Sequence, residues 1–250
     1  MRVVSKINKE LSTNISIKEF LKNPTVKAVA ATVEGGEKKE YKKIAKAEKK
    51  DFYNLSSQQK RMYTVWESNK ENTAYNMPSA FITEDEINVQ ELEKVFNKVI
   101  QRHSALRTRF VNLEGEIKQE IIEDLHVKVE YMENLNEDKA LEDKVQEMIM
   151  PFDLNNGPLV RLILNKVSEN KYLLFLDIHH IISDGITTGI LVSELSNLFL
   201  GKELKEVEYQ YVDYSEYERE LSESKELKKQ EEFWLNEFKG EIPVIDIPLD

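Results

Sequence analysis

The 250-residue chain has no cysteine, and it contains only two tryptophans and four histidines. Disulfides and thiolate metal sites are therefore excluded, and the cysteine content gives no sign of secretion. No apolar run approaches the roughly 18 residues that a membrane-spanning helix needs, and the N-terminus lacks the apolar core of a signal peptide. We therefore expect a cytoplasmic protein with no membrane partner.

Basic residues are too few for a nucleic-acid-binding protein. The 35 basic residues are outnumbered by 46 acidic ones, which gives a formal net charge of −11. Binding to nucleic acid needs a basic face that neutralises phosphates, so we expect no nucleic acid as a partner. The hydrophobic fraction of 40% is nevertheless enough for a sizeable core.

Residues 1–33 have a helical pattern that is too short to form a stable core alone. Ser16 and Glu19 have the spacing of a capping box, Pro24 ends the helix that they open, and Thr25 can cap a third helix. We therefore expect this segment to be the end of a longer domain. Residues 34–51 are dominated by lysine and acidic side chains, which predicts a linker, flexible or loosely helical.

From Phe52 onward, short alternating segments are interspersed with amphipathic ones, which predicts an α/β fold, an α+β sandwich with a mixed sheet and flanking helices. The predicted strands lie at residues 74–83, 105–111, 117–122, 127–132, 159–167 and 172–180, the last two forming a hairpin. The predicted helices are one that Asn88 caps, 141–149, 186–200 with Gly201 as its stop, and 214–238. The apolar stripe of the helix after Asn88 consists of Leu92, Val95, Phe96, Val99 and Ile100.

The stretch "IHHIISDG", residues 178–185, closes the most apolar predicted strand. Adjacent strand residues point to opposite faces, so His179 and His180 cannot easily share a metal ion, and two ligands with Asp184 are too few. We therefore expect no metal. A histidine on such an apolar face is usually a satisfied core residue, and that interpretation of His180 stays open at this point.

A catalytic interpretation also fits this stretch. The side chain of His180 would project from a rigid strand end, and the helix that follows supplies unpaired N–H groups and a partial positive charge. An imidazole held in one orientation can act as a general base, and Gly185 permits a positive φ and close approach of the backbone. These features suit acyl transfer, in which an oxyanion develops.

Four motifs occur in an order that identifies a family. "HHIISDG" resembles the HHxxxDG motif of the condensation domains of nonribosomal peptide synthetases, which have a chloramphenicol acetyltransferase-like fold. "LSSQQKRMYTVWE" (55–67), "RHSALRTRF" (102–110) and "YVDYSEYERE" (211–220) resemble three further motifs of that family. The departures from the family's usual residues are Gln58 for Ala, Trp66 for Leu, Ser104 for Glu, Ser215 for Ala and Tyr217 for Trp.

The resemblance implies a role for each residue of the HHxxxDG motif. His180, the second histidine, would act as the base or orient the attacking amine, and His179 would be structural. Gly185 would let a phosphopantetheine thioester approach the backbone.

Asp184 would form a buried salt bridge, for which Arg102 is the first choice of partner and Arg107 the second. Loss of one partner of such a pair costs about 3–5 kcal/mol, so Asp184→Ala is expected to lose folding as well as activity.

The resemblance also implies how the chain is organised. Residues 52–250 would be the N-terminal lobe of a condensation domain whose second lobe is absent, which leaves a fragment expected to be inactive alone. Residues 1–33 resemble the last helices of a peptidyl carrier protein, whose phosphopantetheine serine would lie upstream. No cofactor is expected to bind directly, because phosphopantetheine is carried by the partners: the upstream and downstream carrier proteins. An adenylation domain is expected in the same synthetase.

Three alternatives remain open. An epimerization domain shares HHxxxDG, although its first motif differs. An acyltransferase that uses free coenzyme A belongs to the same superfamily, and the carrier-like N-terminus argues against it. A non-catalytic lobe could serve only to dock carrier proteins.

Overall fold

A computed structural model describes residues 1–35, 44–133, 140–169 and 171–242. The chain forms two compact units, of which the first ends at Ala45 and the second begins at Lys46.

The first unit consists of three helices, as the sequence predicts: α1 (Arg2–Leu11), α2 (Ile17–Lys22) and α3 (Val26–Gly35). The predicted capping box of α2 is confirmed, because the Ser16 hydroxyl accepts the Glu19 N–H at 3.1 Å and the Glu19 carboxylate accepts the Ser16 N–H at 2.8 Å. The Thr25 hydroxyl accepts the Ala28 N–H at 3.2 Å, as expected of a cap. Within the described part of this unit the only buried apolar side chains are Val4 and Ile15, so its core is small.

The second unit contains two sheets. The larger sheet has the strand order β2 (Ser79–Thr83), β7 (Lys171–Ile178), β6 (Val160–Ser168), β5 (Glu130–Glu133). Its β5–β6 pair is parallel and its other pairs are antiparallel, so the sheet is mixed, as predicted. The smaller antiparallel sheet has the order β1 (Phe52–Asn54), β4 (Glu116–Ile121), β3 (Thr108–Leu113).

Six α-helices accompany the sheets in the described part of this unit. They are α4 (Ser57–Ser68), α5 (Val89–Arg102), α6 (Leu141–Met148), α7 (Thr187–Phe199), α8 (Tyr211–Ser222) and α9 (Lys225–Glu237). The predicted apolar stripe of α5 is buried in full, and the Asn88 side chain accepts the Glu91 N–H at its start.

Strand β7 is a central strand with both faces covered. Leu176 and Ile178 belong to the large core cluster that contains Phe96 of α5, whereas Leu173 and Phe175 pack with Met148 of α6 on the other face. A strand buried on both faces is a near-continuous hydrophobic run, which explains the composition "YLLFLDI". The end of this strand is therefore a rigid support for the residues that follow it.

Several predicted boundaries differ from the structure. The strand expected from residue 74 begins at Ser79, and the strand expected from residue 127 begins at Glu130. Residues 104–107 form a 3-10 turn, so the strand expected from residue 105 begins at Thr108. The single helix predicted at residues 214–238 is two helices, because the Ser224 hydroxyl caps a new helix by accepting the Leu227 N–H. The predicted linker lies partly outside the described residues, and its last part belongs to the second unit, where the Ala47 N–H donates to the Asp213 carboxylate at 2.7 Å.

Candidate active site

A cavity of about 320 Å³ lies beside the turn that follows β7. Its walls come from the turn itself, from the start of α4 and from the start of α8. The side chains or backbone around it belong to His180, Ile181, Ile182, Ser183, Asp184, Thr187, Gln58, Gln59, Met62, Tyr211 and Tyr214. Of the six residues that the sequence singled out, the cavity brings together His180 and Asp184.

His180 is held in one orientation and one tautomer. Its ring Nδ1 lies 2.6 Å from the Ser183 carbonyl oxygen, and its backbone N–H donates to the Tyr75 carbonyl at 2.8 Å. A carbonyl oxygen only accepts, so Nδ1 carries the hydrogen and donates it. In the neutral ring the lone pair is then on Nε2, which is the arrangement that a base or a hydrogen-bond acceptor for an amine requires.

His179 points the other way and is 1% exposed. Its Nδ1 accepts the Ile181 N–H at 3.1 Å, and its ring meets Phe152 edge-on with centroids 6.1 Å apart. Burial, followed by the nearby charge of His180, lowers the pKa of His179 to about 4. His179 is therefore neutral at pH 7, and it fixes the turn from inside the core.

Asp184 has a different environment from the one that the sequence predicts. It is exposed, and one carboxylate oxygen accepts the Ile186 N–H at 3.0 Å, the Thr187 N–H at 2.9 Å and the Thr187 hydroxyl at 2.8 Å. The hydroxyl bond of Thr187 is the main cause that lowers the pKa of Asp184. Asp184 therefore stabilises the entry into α7, and the predicted salt bridge to an arginine is wrong.

Arg102 and Arg107 are occupied elsewhere, which is the physical reason for this correction. Arg102 ends α5, which packs on α7, and its Nε and Nη2 each donate to the Glu194 carboxylate at 3.2 Å. Arg107 donates instead to backbone carbonyls, including Ile122 at 2.8 Å. Both arginines stabilise packing around α5 and take no part in the His180 cavity.

Asp184→Ala should therefore cost about 1 kcal/mol in the free energy of unfolding, similar to the loss of a helix cap, because its carboxylate satisfies backbone N–H groups at the entry into α7. This cost is well below the roughly 3–5 kcal/mol that is lost when a buried ion pair is broken. Asp184→Asn keeps an acceptor oxygen and should cost less than Asp184→Ala. Urea unfolding of the three proteins measures the difference, and a loss for Asp184→Ala as large as that of a buried pair would contradict the cap.

Gly185 does not need the freedom of glycine in this structure. It is exposed, its φ is not in the left-handed region, and a Cβ added there would meet nothing within 4 Å. Its expected role beside a thioester therefore rests on the family resemblance and not on a left-handed backbone conformation.

A buried polar network at the cavity wall was not predicted. Gln59 in α4 donates to the side-chain oxygen of Gln119 in β4 at 2.9 Å, and Gln119 donates to the Ser215 hydroxyl in α8 at 3.2 Å. The Ser56 hydroxyl caps α4 and lies 2.8 Å from the Tyr211 hydroxyl. The spacing of Ser56 and Gln59 is a readable capping box, but the partners from β4 and α8 have no local signal in the sequence.

The described residues contain no group of three or more His, Asp or Glu side chains that could hold a metal ion. Among the same residues, no helix is both long and apolar enough to cross a membrane.

The chain is similar to a known domain family and to segments of much longer proteins. The model of the condensation-domain family matches residues 49–250. The chain is 38% identical to bacitracin synthase 1 of Bacillus licheniformis over 99% of its own length and 5% of that protein. It is also 38% identical to surfactin synthase subunit 2 of Bacillus subtilis (strain 168), over 100% of the chain and 7% of that protein. The chain thus spans less than a tenth of these relatives.

Solved structures show the same fold. The starter condensation domain of the rhizomide synthetase RzmA superposes with a TM-score of 0.67 at 20% identity, over 79% of this chain and 52% of that one. The condensation domain of the monacolin K polyketide synthase MokA gives a TM-score of 0.66 at 21% identity, over 78% and 44%. The predicted chloramphenicol acetyltransferase-like fold is thereby confirmed, and the chain belongs to the condensation-domain family.

Proposed function

We propose that residues 52–250 are the N-terminal lobe of a condensation domain that forms a peptide bond between two carrier-bound substrates. The observation that supports this most is His180, whose Nδ1–H is engaged by the Ser183 carbonyl beside a cavity. That arrangement leaves Nε2 as the basic atom, and the cavity gives it room to meet a substrate.

The reaction would join an aminoacyl amine to a donor thioester. The amine nitrogen attacks the thioester carbonyl carbon, the C–N bond forms, and a tetrahedral oxyanion develops before the C–S bond breaks. His180 Nε2 would take the proton that the amine loses or would orient the amine by accepting its hydrogen bond, and the departing thiolate takes up a proton. Asp184 lines the same cavity, and its carboxylate accepts backbone N–H groups at the entry into α7, directly after the turn that carries His180.

The partners in this proposal are carrier proteins upstream and downstream, which bring their substrates on phosphopantetheine, and an adenylation domain of the same synthetase. Residues 1–33 would be the last helices of the upstream carrier protein. Two observations support a junction of this kind: these residues form a separate unit with a small core, and the similarity to the synthetases extends over 99–100% of the chain. The family model, in contrast, begins only at residue 49.

A peptide-formation assay with two loaded carrier proteins tests the proposal. It would compare the chain as given with a chain continued through the second lobe of a condensation domain. We expect product from the continued chain and none from the given chain, because positioning of the two substrates can supply about 7–11 kcal/mol of the barrier. Binding of carriers without product by the folded, continued chain would indicate a docking lobe. Epimerised substrate without peptide would indicate an epimerization domain, and turnover of free coenzyme A thioesters in place of loaded carriers would indicate the other acyltransferases.

A further inference from the structure

Tyr211 is the first residue of α8, and it lines the same cavity as His180. Its side chain is half-buried, and its hydroxyl oxygen lies 2.8 Å from the hydroxyl oxygen of Ser56. Either hydroxyl could be the donor in this pair, and the choice decides what the phenol can do in the cavity.

Hydrogen-bond accounting makes Ser56 the donor. Ser56 is 0% exposed, so water cannot satisfy its hydroxyl, and its oxygen already accepts the Gln59 N–H at 3.2 Å. Among the described residues, the Tyr211 oxygen is the one acceptor within reach of the Ser56 hydroxyl hydrogen. A buried hydroxyl without an acceptor costs about 1–3 kcal/mol, so Ser56 donates and Tyr211 accepts. The phenol hydrogen of Tyr211 is then left over.

Tyr214, the other tyrosine of the cavity, is different. Its hydroxyl lies 3.4 Å from the Glu218 carboxylate, which can only accept, so its hydrogen is directed along α8. Of the two phenols beside His180, Tyr211 is therefore the one with a hydrogen to offer.

We propose that the Tyr211 hydroxyl donates a hydrogen bond to the carbonyl oxygen of an acyl thioester bound beside His180. This makes Tyr211 a catalytic residue, and it rests on the function proposed above. As the amine attacks, negative charge grows on that oxygen, and a preorganised donor stabilises it more than it stabilises the ground state. The step transfers no proton from Tyr211.

The environment keeps the phenol in its donating form. Burial is the largest cause that raises the pKa of Tyr211, and the negative charges of Glu218 and Asp184 raise it further, against a lowering by Ser56. Tyr211 therefore stays protonated throughout the neutral range.

The kinetic test replaces Tyr211 in a chain continued through the second lobe. Tyr211→Phe should lower kcat about 10²-fold, the usual cost of one lost oxyanion donor, with a smaller change in KM. Tyr217→Phe is the matched control, because it removes a phenol from the same helix outside the cavity, and it should leave the rate within about twofold. An unchanged kcat for Tyr211→Phe would overturn the proposal.

A vibrational measurement tests the hydrogen bond without turnover. The probe is acetyl-pantetheine labelled with 13C at the thioester carbonyl. On binding to the wild-type protein, its C=O stretch should move to a lower frequency than that of the free probe. The frequency should stay low in His180→Ala and should return to that of the free probe in Tyr211→Phe. Equal frequencies in wild type and Tyr211→Phe, or a wild-type cavity that does not take the probe, would reject the assignment. If the shift is present and depends on Tyr211 but no peptide forms, the proposed function fails and the donor stands.

A fluorinated tyrosine at position 211 guards against misfolding. Tyr211→Phe leaves the Ser56 hydroxyl unpaired, whereas 3-fluorotyrosine keeps the oxygen and the fold but has a more acidic phenol. The donor is lost when the phenol ionises, so the alkaline fall of kcat should begin at lower pH in the fluorotyrosine protein. Identical alkaline limbs would count against donation by Tyr211.

Discussion

His180→Ala should lower the rate of peptide-bond formation by about 10²- to 10⁴-fold, the range typical of a lost general base. The expectation applies to a chain continued through the second lobe and supplied with two loaded carriers. It follows from the tautomer, because the bond from Nδ1 to the Ser183 carbonyl leaves Nε2 as the basic atom at the cavity. Steady-state kinetics of product formation measure the loss.

His180→Asn separates the two nitrogens of the ring. The asparagine amide N–H can take the place of Nδ1–H and still donate to the Ser183 carbonyl, but the variant has no atom equivalent to Nε2. We therefore expect His180→Asn to be as inactive as His180→Ala while unfolding at nearly the wild-type urea concentration. If His180→Asn recovered most of the activity, His180 would be a support for the turn and not a base.

His126→Ala is the matched control for both variants. His126 is mostly exposed, and its ring lies 2.9 Å from the Glu93 carboxylate, outside the residues that line the His180 cavity. Its removal should leave the rate within about twofold, because surface substitutions of this kind have small effects.

The opposite orientation of the two histidines was predictable from the sequence because it depends on a local period, whereas the choice of His180 as the proposed functional residue followed from the family resemblance. Strand residues alternate between faces, and the apolar run before His179 predicts a rigid strand end. The structure keeps this alternation through the turn, with His179 in the core and His180 at the cavity. The capping box of Ser16 and Glu19 was predictable for the same reason, since its partners are three residues apart.

The partner of Arg102 was not predictable, because a salt bridge between distant segments has no period. Arg102 is paired with Glu194 only because α5 packs on α7, and this packing is a property of the whole fold. For Asp184 a local signal was present: Asp184 and Thr187 have the spacing of a residue that caps a helix start. When a local and a long-range partner compete for one exposed carboxylate, the local one needs no further ordering of the chain.

The bond between Ser56 and Tyr211 illustrates the same limit. The spacing of Ser56 and Gln59 predicts the start of α4. The contact of Ser56 with Tyr211 of α8, 155 residues further along the chain, can be known only from the folded structure. The second helix of the pair α8–α9 could have been found, since Ser224 is a good N-cap inside a charged segment.

Arg161 and Asp177 form a buried pair next to the turn that carries His180. They are direct partners across β6 and β7, and Arg161 Nε lies 3.9 Å from a carboxylate oxygen of Asp177, which is 0% exposed. Asn76 donates to the same carboxylate at 2.7 Å, and the Arg161 guanidinium stacks on Phe152 at 3.9 Å. Because Asn76 also pairs with His179, the cluster connects the sheet to the turn.

Arg161→Met should lower the free energy of unfolding by about 3–5 kcal/mol at neutral pH, because it leaves the Asp177 charge buried without its partner. Burial already raises the pKa of Asp177, and Arg161 is one of the causes that hold it down. A raised pKa in the folded state stabilises the protein below the unfolded pKa of about 3.9, and this contribution is lost as the pH rises through the folded pKa. The deficit of Arg161→Met relative to wild type should therefore shrink as the pH is lowered, provided that both proteins remain folded.

The double variant Arg161→Met/Asp177→Asn identifies the cause. With no charge left at position 177, it should recover most of the lost stability at neutral pH and lose the pH dependence that Arg161→Met shows. Arg219→Met, an exposed arginine of α8, controls for the change of side chain and should stay within about 0.5 kcal/mol of wild type. Urea unfolding followed by tryptophan fluorescence, with the buried Trp66 as the reporter, gives all four values. A pH-independent loss in Arg161→Met that Asp177→Asn does not relieve would assign the damage to lost packing on Phe152 and not to the buried charge.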